Sequence, residues 1–170
     1  MKTLLFSGSN SDTSINEQVI KNIYKYHQED CAYFDIKEID VPIFKEQNKH
    51  NMPSDIIAFV NLLKEHDKFI ISTPEYNGNP TPFFKNIFDW CSIHDRDFLK
   101  GKKCIVISAS PGARGGAGSN KVISTMFGFF GVEVLDNITI GLFEEKYQDG
   151  NIVNEELLNE MIEKLPKLLK

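Results

Sequence analysis

The chain has 170 residues and a formal charge of −5 at pH 7, from 19 basic and 24 acidic residues. Its 41% hydrophobic and 25% charged residues are typical of a globular protein, and we predict one domain over residues 1–170. The acidic balance disfavours general binding to duplex nucleic acid, where phosphate neutralisation supplies most of the affinity. No apolar run approaches the roughly 20 residues that span a bilayer, or the roughly 7–15 of a signal-peptide core. We therefore expect a cytoplasmic protein that does not bind membranes.

In chain order, short apolar runs alternate with amphipathic stretches, which predicts strands that alternate with helices. The predicted elements are a strand at Thr3–Phe6, a helix at 14–28, a strand at Cys31–Ile36, a loop over 40–53, a helix at 55–65, a strand at Lys68–Thr73, a helix from Pro82, a strand at Lys103–Ala109, a glycine-rich loop at Pro111–Gly118, a helix at about 119–130, a strand at Val132–Ile140 and a helix at 154–169.

Helix starts carry recognisable capping residues. Ser14 followed by Glu17 matches a capping box, Thr81 precedes a proline at the first helical position, and Asn154 is suited to cap the last helix. In the helix at 55–65, helical spacing predicts one apolar face, formed by Ile56, Ile57, Val60 and Leu63.

The helix that begins at Pro82 carries more large apolar side chains than one core face needs. Besides the four residues predicted to form its buried stripe, it contains Phe83 and Trp90. A helix that is apolar all round is buried either within the fold or at a subunit contact, and the sequence leaves both open. The stripe consists of Phe84, Ile87, Phe88 and Cys91.

The cysteines and histidines lack the spacing of a disulfide framework or a metal site. An odd number of cysteines without a CxxC pair is typical of small apolar residues in a core. We therefore predict buried, unpaired thiols and no metal ion. The residues are Cys31, Cys91, Cys104, His27, His50, His66 and His94.

Five strands separated by helices predict an α/β protein with a doubly wound parallel sheet of the flavodoxin-like type, in the order 2-1-3-4-5, with helices on both faces. Such sheets bind ligands beyond the carboxyl ends of the strands, beside strand 1. Three loops of unusual composition leave the sheet there. We call them the first loop (residues 7–14), the second loop (73–82) and the third loop (108–119).

Each of these loops predicts a contact with part of a nucleotide. Hydroxyls and amides of the first loop precede a helix N-terminus, which favours a phosphate without requiring a basic patch. Three prolines stiffen the second loop, where Tyr76 offers a flat face and nearby amides face a ring edge. Glycines allow the third loop to move and to approach a ligand closely, and its Arg114 suits a phosphate or carboxylate.

Several elements together resemble the NADPH-dependent FMN reductase family, whose members include quinone, azo-dye and chromate reductases. The similarity covers most of the chain. Its most specific part is Pro74-Glu75-Tyr76-Asn77, and one position departs from the family, which often has arginine where this chain has Ser11. The other matching residues are Gly8, Ser9, Ser14, Asn16, Lys85, Asn86, Asp89 and Trp90.

The resemblance implies a non-covalently bound FMN, with NAD(P)H as co-substrate, and a homodimer or homotetramer. Arg114, and Tyr76 in a second role, are predicted to contact the substrate. We nominate no catalytic acid or base. By position, the implied FMN-binding residues are Ser9, Asn10, Ser14, Ile15 and Asn16 at the phosphate end, Pro74, Glu75, Tyr76, Asn77 and Gly78 along the ring and ribityl chain, and Ser110, Gly112, Gly115 and Gly116 from the third loop.

The implied reaction passes hydride from NAD(P)H through FMN to a flavin, quinone, azo compound or metal oxyanion. The third loop has no aromatic residue to cover the second flavin face, which leaves room for nicotinamide. Two alternatives stay open: an electron carrier that binds FMN without oxidising NAD(P)H, and a phosphate-binding module without flavin. The fold alone does not choose among them.

Overall fold

The computed structural model describes residues 2–165 and contains a five-stranded parallel sheet with helices on both faces. The strands are β1 (Thr3–Ser7), β2 (Cys31–Tyr33), β3 (Lys68–Ser72), β4 (Lys103–Ala109) and β5 (Glu133–Ile140). The helices are α1 (Ile15–Tyr26), α2 (Ser54–Lys64), α3 (Pro82–His94), α4 (Ala117–Phe129), α5 (Phe143–Lys146) and α6 (Glu155–Asn159). A small antiparallel hairpin is formed by β6 (Tyr147–Gln148) and β7 (Asn151–Ile152).

The strand order is β2-β1-β3-β4-β5 and every pair in this sheet is parallel, which confirms the predicted topology. Ser7, at the end of β1, pairs with Ser72 at the end of β3, and Ser72 pairs with Ile107 of β4. The first, second and third loops therefore leave the sheet at the same edge.

Apolar side chains cover the sheet on both faces. Helices α2, α3 and α4 pack on one face, and α1 packs on the other with the segment that follows β5. In β4, Cys104–Ile107 are all buried, because their side chains point alternately into the two cores. Burial on both faces explains why the strands are continuous apolar runs in the sequence.

Helix α3 confirms its predicted cap and buried stripe. The Thr81 hydroxyl oxygen accepts a bond from the Phe84 amide at 3.0 Å. Trp90 is fully buried, its indole N–H donates to the Pro42 carbonyl at 2.8 Å, and its ring packs edge-on against Phe44. The loop over 40–53 of the same chain therefore covers the tryptophan, while Phe83 is half-buried.

The predicted capping box is only half formed. The Ser14 hydroxyl oxygen accepts from the Glu17 amide at 3.2 Å, as expected. The Glu17 carboxylate does not return to the Ser14 amide, which instead donates to the Ser11 carbonyl. Glu17 bonds to Tyr33, Lys21 and Lys37, because basic and phenolic partners lie beside it in the fold.

Two predicted elements differ in detail. Strand β2 ends at Tyr33 rather than Ile36, because the Asp35 carboxylate accepts from the Lys37 amide and starts a 3₁₀ turn at Ile36–Glu38. In α2 the prediction for Ile57 was wrong: this side chain is exposed and Phe59 is buried in its place. Phe59 lies three residues after Ile56, and that spacing returns it to the buried face.

Later boundaries also shift. Helix α4 begins at Ala117, earlier than predicted, after Gly116 with a φ of 77°. Asn154 caps α6 as predicted, its side-chain oxygen accepting from the Leu157 amide, and the helix continues as a π-helix at Glu160–Lys164. The end of the helix predicted at 154–169 lies outside the described residues.

All three cysteines are buried and unpaired, as predicted. Burial raises the pKa of Cys31 to about 11 and the pKa values of Cys91 and Cys104 to about 12, so these thiols stay protonated at neutral pH. Within residues 2–165, no helix has the length and apolar character needed to cross a bilayer. The same stretch contains no group of three or more His, Cys, Asp or Glu side chains placed to hold a metal ion.

Candidate functional site

A cavity of about 200 Å³ lies at the carboxyl edge of the sheet, and all three loops contribute to its wall. Among the predicted site residues, the wall contains Ser9, Ser14, Ile15, Asn16, Pro74, Glu75, Tyr76 and Ser110. The remaining predicted residues do not line it: Asn10, Asn77, Gly78, Gly112, Arg114, Gly115 and Gly116. Binding roles for both groups stay predictions.

Four further residues line the cavity without having been predicted as site residues: Ser11, Thr13, Ala109 and Pro111. The hydroxyls of Ser11 and Thr13 belong to the polar run that marked the first loop, so residue chemistry alone was sufficient to include them. Ala109 and Pro111 carry no such signal and enter the wall because they flank Ser110.

The first loop is folded by its own hydroxyl groups. The Ser9 hydroxyl oxygen accepts from the Ser11 amide, and the Ser11 hydroxyl oxygen accepts from the Thr13 amide, both at 3.3 Å. These bonds turn the chain from β1 into α1, whose first residue is Ile15. As a result, several hydroxyls and the first turn of a helix surround one end of the cavity.

This end of the cavity has the character of an anion site. Among the described residues, the amides of Ile15 and Asn16 have no hydrogen-bond acceptor, as expected for the first turn of a helix. Both residues line the cavity. Unpaired helix amides and the positive end of the helix dipole favour a phosphate or carboxylate.

Asn16 contributes its backbone amide to this end, while its side chain has a different role. The side chain is 1% exposed. Its nitrogen donates to the Ala109 carbonyl at 2.9 Å, and its oxygen accepts from the Ala109 amide at 2.9 Å and from the Ser72 hydroxyl at 2.8 Å. The side chain therefore joins α1 to the ends of β3 and β4 and is not free to bind a ligand.

The second loop contains a tight turn that presents Tyr76. The Tyr76 amide donates to the Asn79 carbonyl at 2.9 Å, and the Asn79 amide donates back at 3.1 Å. Asn77 and Gly78 both have positive φ, as a two-residue hairpin turn requires. The Tyr76 amide is thus engaged and does not face a ring edge, whereas the Tyr76 side chain is 49% exposed beside the cavity.

Glu75 links the second loop to the third. Its carboxylate accepts from the Ser119 amide at 3.1 Å, in the first turn of α4. The hydroxyls of Thr73 and Ser119 share a second, buried bond at 3.2 Å. Glu75 is also the only charged residue among those that line the cavity.

Backbone contacts with the chain after β5 hold the third loop in place. The Ser110 amide donates to the Ile140 carbonyl, and the Leu142 amide donates to the Gly112 carbonyl. A Cβ on Gly115 would lie 2.7 Å from the Gly141 nitrogen. Gly115 therefore permits close approach to the protein's own backbone, whereas the mobility of the loop stays a prediction.

Arg114 lies at the outer surface of the third loop. Its side chain is exposed and makes no ion pair or hydrogen bond with any other described residue. The guanidinium group is therefore not engaged by another described residue.

A cluster of ion pairs around the buried Glu17 carboxylate supports α1 beside the candidate anion site. The Glu17 carboxylate is bonded by Tyr33 at 2.9 Å, Lys21 at 2.8 Å and Lys37 at 3.0 Å. Burial raises the pKa of Glu17, but the bonds from the three partners together outweigh burial, so the pKa lies below its usual value. Glu17 is therefore ionised at neutral pH, and its basic partners are engaged by it.

The chemistry of the cavity suits a mononucleotide with a planar ring. Free amides and hydroxyls at the first loop fit a phosphate group, and the exposed face of Tyr76 fits a flat ring system. A doubly wound sheet with such a site belongs to the flavodoxin-like class of nucleotide-binding proteins.

The sequence model of the NADPH-dependent FMN reductase family matches residues 1–144, and the chain belongs to this family. It is 28% identical over 116 residues to the NADH:(hydroxy)cinnamate reductase subunit CrdA of Vibrio ruber, and 31% identical over 119 residues to the NADH-dependent flavin reductase subunit 2 of Lactobacillus johnsonii. Each match covers 68% of this chain, with 56% of the first relative's length and 63% of the second's.

Among solved structures, the chain is similar to FerB of Paracoccus denitrificans, described as a flavoenzyme NAD(P)H:(acceptor) oxidoreductase. The TM-score is 0.87 at 21% identity, with 99% of this chain and 96% of FerB covered. At this identity the similarity shows the fold alone, and it agrees with the strand order described above.

Proposed function

We propose that the chain is an FMN-dependent NAD(P)H oxidoreductase, which passes hydride from NAD(P)H through bound FMN to a small acceptor. The observation that carries the proposal is the single cavity that combines unpaired amides of α1 at one end with the exposed ring of Tyr76 beside it. Membership of the FMN reductase family supports the same function.

In this proposal the first loop binds the FMN phosphate. The amides of Ile15 and Asn16 and the hydroxyls of Ser9 and Ser14 supply the donors, with Asn10 at the solvent side. The Asn16 side chain keeps these donors in register by holding α1 against β3 and β4. No cationic side chain is among the residues that line this end.

The second and third loops hold the ring. Tyr76 supports it, Pro74 and Glu75 line its edge, and the amides of Asn77 and Gly78 are available to it because the turn does not use them. From the third loop, Ser110 lines the cavity, while Gly112, Gly115 and Gly116 shape the backbone that closes it.

Bound FMN supplies two-electron chemistry, and the protein supplies position and electrostatics. The third loop carries no aromatic side chain, so the face of the ring away from Tyr76 is left to the nicotinamide and then to the acceptor. Arg114, exposed on the third loop, is proposed to bind a phosphate of NAD(P)H.

The acceptor is proposed to be a flavin, quinone, azo compound, metal oxyanion or conjugated acid of small size. The names of the relatives support this range, since one is a subunit of an NADH:(hydroxy)cinnamate reductase and another is a subunit of an NADH-dependent flavin reductase. We also propose that the whole chain acts as one domain, as a homodimer or homotetramer in the cytoplasm. Exposed Ile43 and Phe129 support an assembly, and three unpaired cysteines support a reducing compartment.

The test is steady-state kinetics of the FMN-loaded protein, with NADPH or NADH and with benzoquinone as acceptor. Because both substrates use the same face, we expect NAD(P)H oxidation with parallel double-reciprocal lines. Intersecting lines contradict the shared face. FMN retention without NAD(P)H oxidation favours an electron carrier instead, and failure to bind FMN contradicts both flavin-based functions.

A further inference from the structure

The proposed cavity holds one feature that anion binding does not require. Its wall consists of polar and apolar neutral residues apart from Glu75. Within residues 2–165, no lysine, arginine or histidine forms an ion pair with this carboxylate. A negative charge without an ion-pair partner beside the cavity opposes a ligand that carries a phosphate, so anion binding does not account for it.

The surrounding chain is built to keep the carboxylate in place. The Ser119 amide donates to it from the first turn of α4, where the helix dipole favours a negative charge. A Cβ at position 118 would lie 2.7 Å from Glu75 Oε2 and 3.0 Å from the Gly78 carbonyl oxygen. Glycine at 118 therefore lets the carboxylate and the Tyr76 turn lie directly against α4.

We propose that Glu75 sets the reduction potential of the bound flavin through its charge. This inference rests on the proposed function. Hydride uptake, two electrons with one proton, adds one negative charge to the ring system. Glu75 lines the cavity and its carboxylate is held against α4, so its negative charge disfavours that added charge more than it disfavours the oxidised ring. The bound flavin is therefore a stronger reductant than it would be if residue 75 were neutral.

The bond to Ser119 makes a clean substitution possible. In Glu75→Gln the amide oxygen can still accept from the Ser119 amide, so the position of the second loop is kept and only the charge is removed. Glu75→Ala removes both the charge and the acceptor. The matched control is Glu65→Gln, which also removes one negative charge. Glu65 is exposed, forms no ion pair with another described residue and follows α2 at the opposite edge of the sheet.

The midpoint potential of bound FMN is measured anaerobically against a reference dye, and the dissociation constant of oxidised FMN is measured by fluorescence quenching. We expect Glu75→Gln to raise the affinity for reduced FMN, relative to that for oxidised FMN, at least about tenfold. For a two-electron couple this raises the midpoint potential by about 30 mV. Glu75→Ala shifts the potential in the same direction, and Glu65→Gln leaves it unchanged.

The outcomes separate the inference from the proposed function. If the wild-type chain retains no FMN, the proposed function fails. If the wild type retains FMN and Glu75→Gln has the wild-type potential, the proposed function stands and the inference is overturned. A shift in Glu75→Ala without one in Glu75→Gln also overturns it, because that pattern shows a role in position rather than charge.

Discussion

The buried side chain of Asn16 connects three segments that meet at the candidate site. It pairs with both backbone groups of Ala109 and accepts from the Ser72 hydroxyl. Its neighbours in the sequence give no sign of these contacts, because the partners lie 56 and 93 positions away. The sequence could predict the hydroxyls and the helix cap of the first loop, which are local features, but not this long-range connection.

Replacement of Asn16 by alanine is expected to lower the free energy of unfolding by about 2–4 kcal/mol. Each buried group left without a partner costs about 1–3 kcal/mol. Urea denaturation measures the change. Asn10→Ala, at an exposed position of the same loop, is the control and should stay within about 0.5 kcal/mol of wild type. Equal effects of the two substitutions would show that the Asn16 contacts do not stabilise the fold.

The Glu17 cluster predicts a pH dependence of stability. Because the pKa of Glu17 in the folded chain lies below its ordinary value of 4.5, the ionised carboxylate stabilises the fold above that value. This contribution is lost as the pH falls through the lowered pKa. Glu17→Gln should therefore lower the free energy of unfolding by about 1–3 kcal/mol at pH 7, through lost bonds to a charged group.

Denaturation is followed from pH 7 to pH 3. The difference in free energy of unfolding between wild type and Glu17→Gln should become smaller below about pH 4.5. Glu29→Gln removes an exposed charge and provides the control, with little effect at any pH. A difference that stays constant across this range would contradict ionisation as the source of the Glu17 contribution.

Among the elements, the third loop is the one whose sequence is most misleading. Its glycines are typical of a mobile loop, yet Gly115 packs against the backbone after β5 and Gly116 lies against Ser108. Two of the glycines that favoured a long loop belong to α4 instead: Gly116 is its N-cap and Gly118 lies in its first turn. By contrast, β4 is found at its predicted bounds, because a continuous run of buried β-branched residues has few alternatives.

Gly115→Ala tests this packing. The new Cβ would lie 2.7–2.8 Å from backbone atoms of Ile140 and Gly141, at a φ of 59° that disfavours side chains. We expect a loss of at least about 1–3 kcal/mol in the free energy of unfolding. Gly112→Ala is the matched control, since its nearest neighbour is 3.9 Å away and its φ is not positive. Comparable stability of the two variants would show that the loop is free to move.

Arg114 belongs to the same loop, and its proposed role is testable through kinetics. Arg114→Ala should raise KM for NADPH about tenfold with little change in kcat, because a bond from a charged donor to a phosphate contributes about 1.5–3 kcal/mol. The chain's other arginine, Arg96, lies over the Phe130 ring beyond the end of α3 and makes Arg96→Ala a suitable control. An unchanged KM in Arg114→Ala dismisses contact with NADPH.

For the whole molecule, the alternation of strands and helices was sufficient to predict the sheet order, and the sheet order was sufficient to predict where the candidate site lies. Parallel strands connected by helices bring the ends of β1, β3 and β4 to one edge, wherever their loops lie in the sequence. The direction in which each loop residue points was not predictable, since it depends on contacts such as that of Glu75 with α4.

The central claim is that these three loops form one flavin site. The most direct measurement is the visible spectrum of the purified chain after incubation with excess FMN and removal of free flavin, followed by anaerobic addition of NADPH. We predict that flavin absorbance is retained and then bleached, and that Tyr76→Ala retains less flavin. A protein that is colourless after this treatment would contradict the claim.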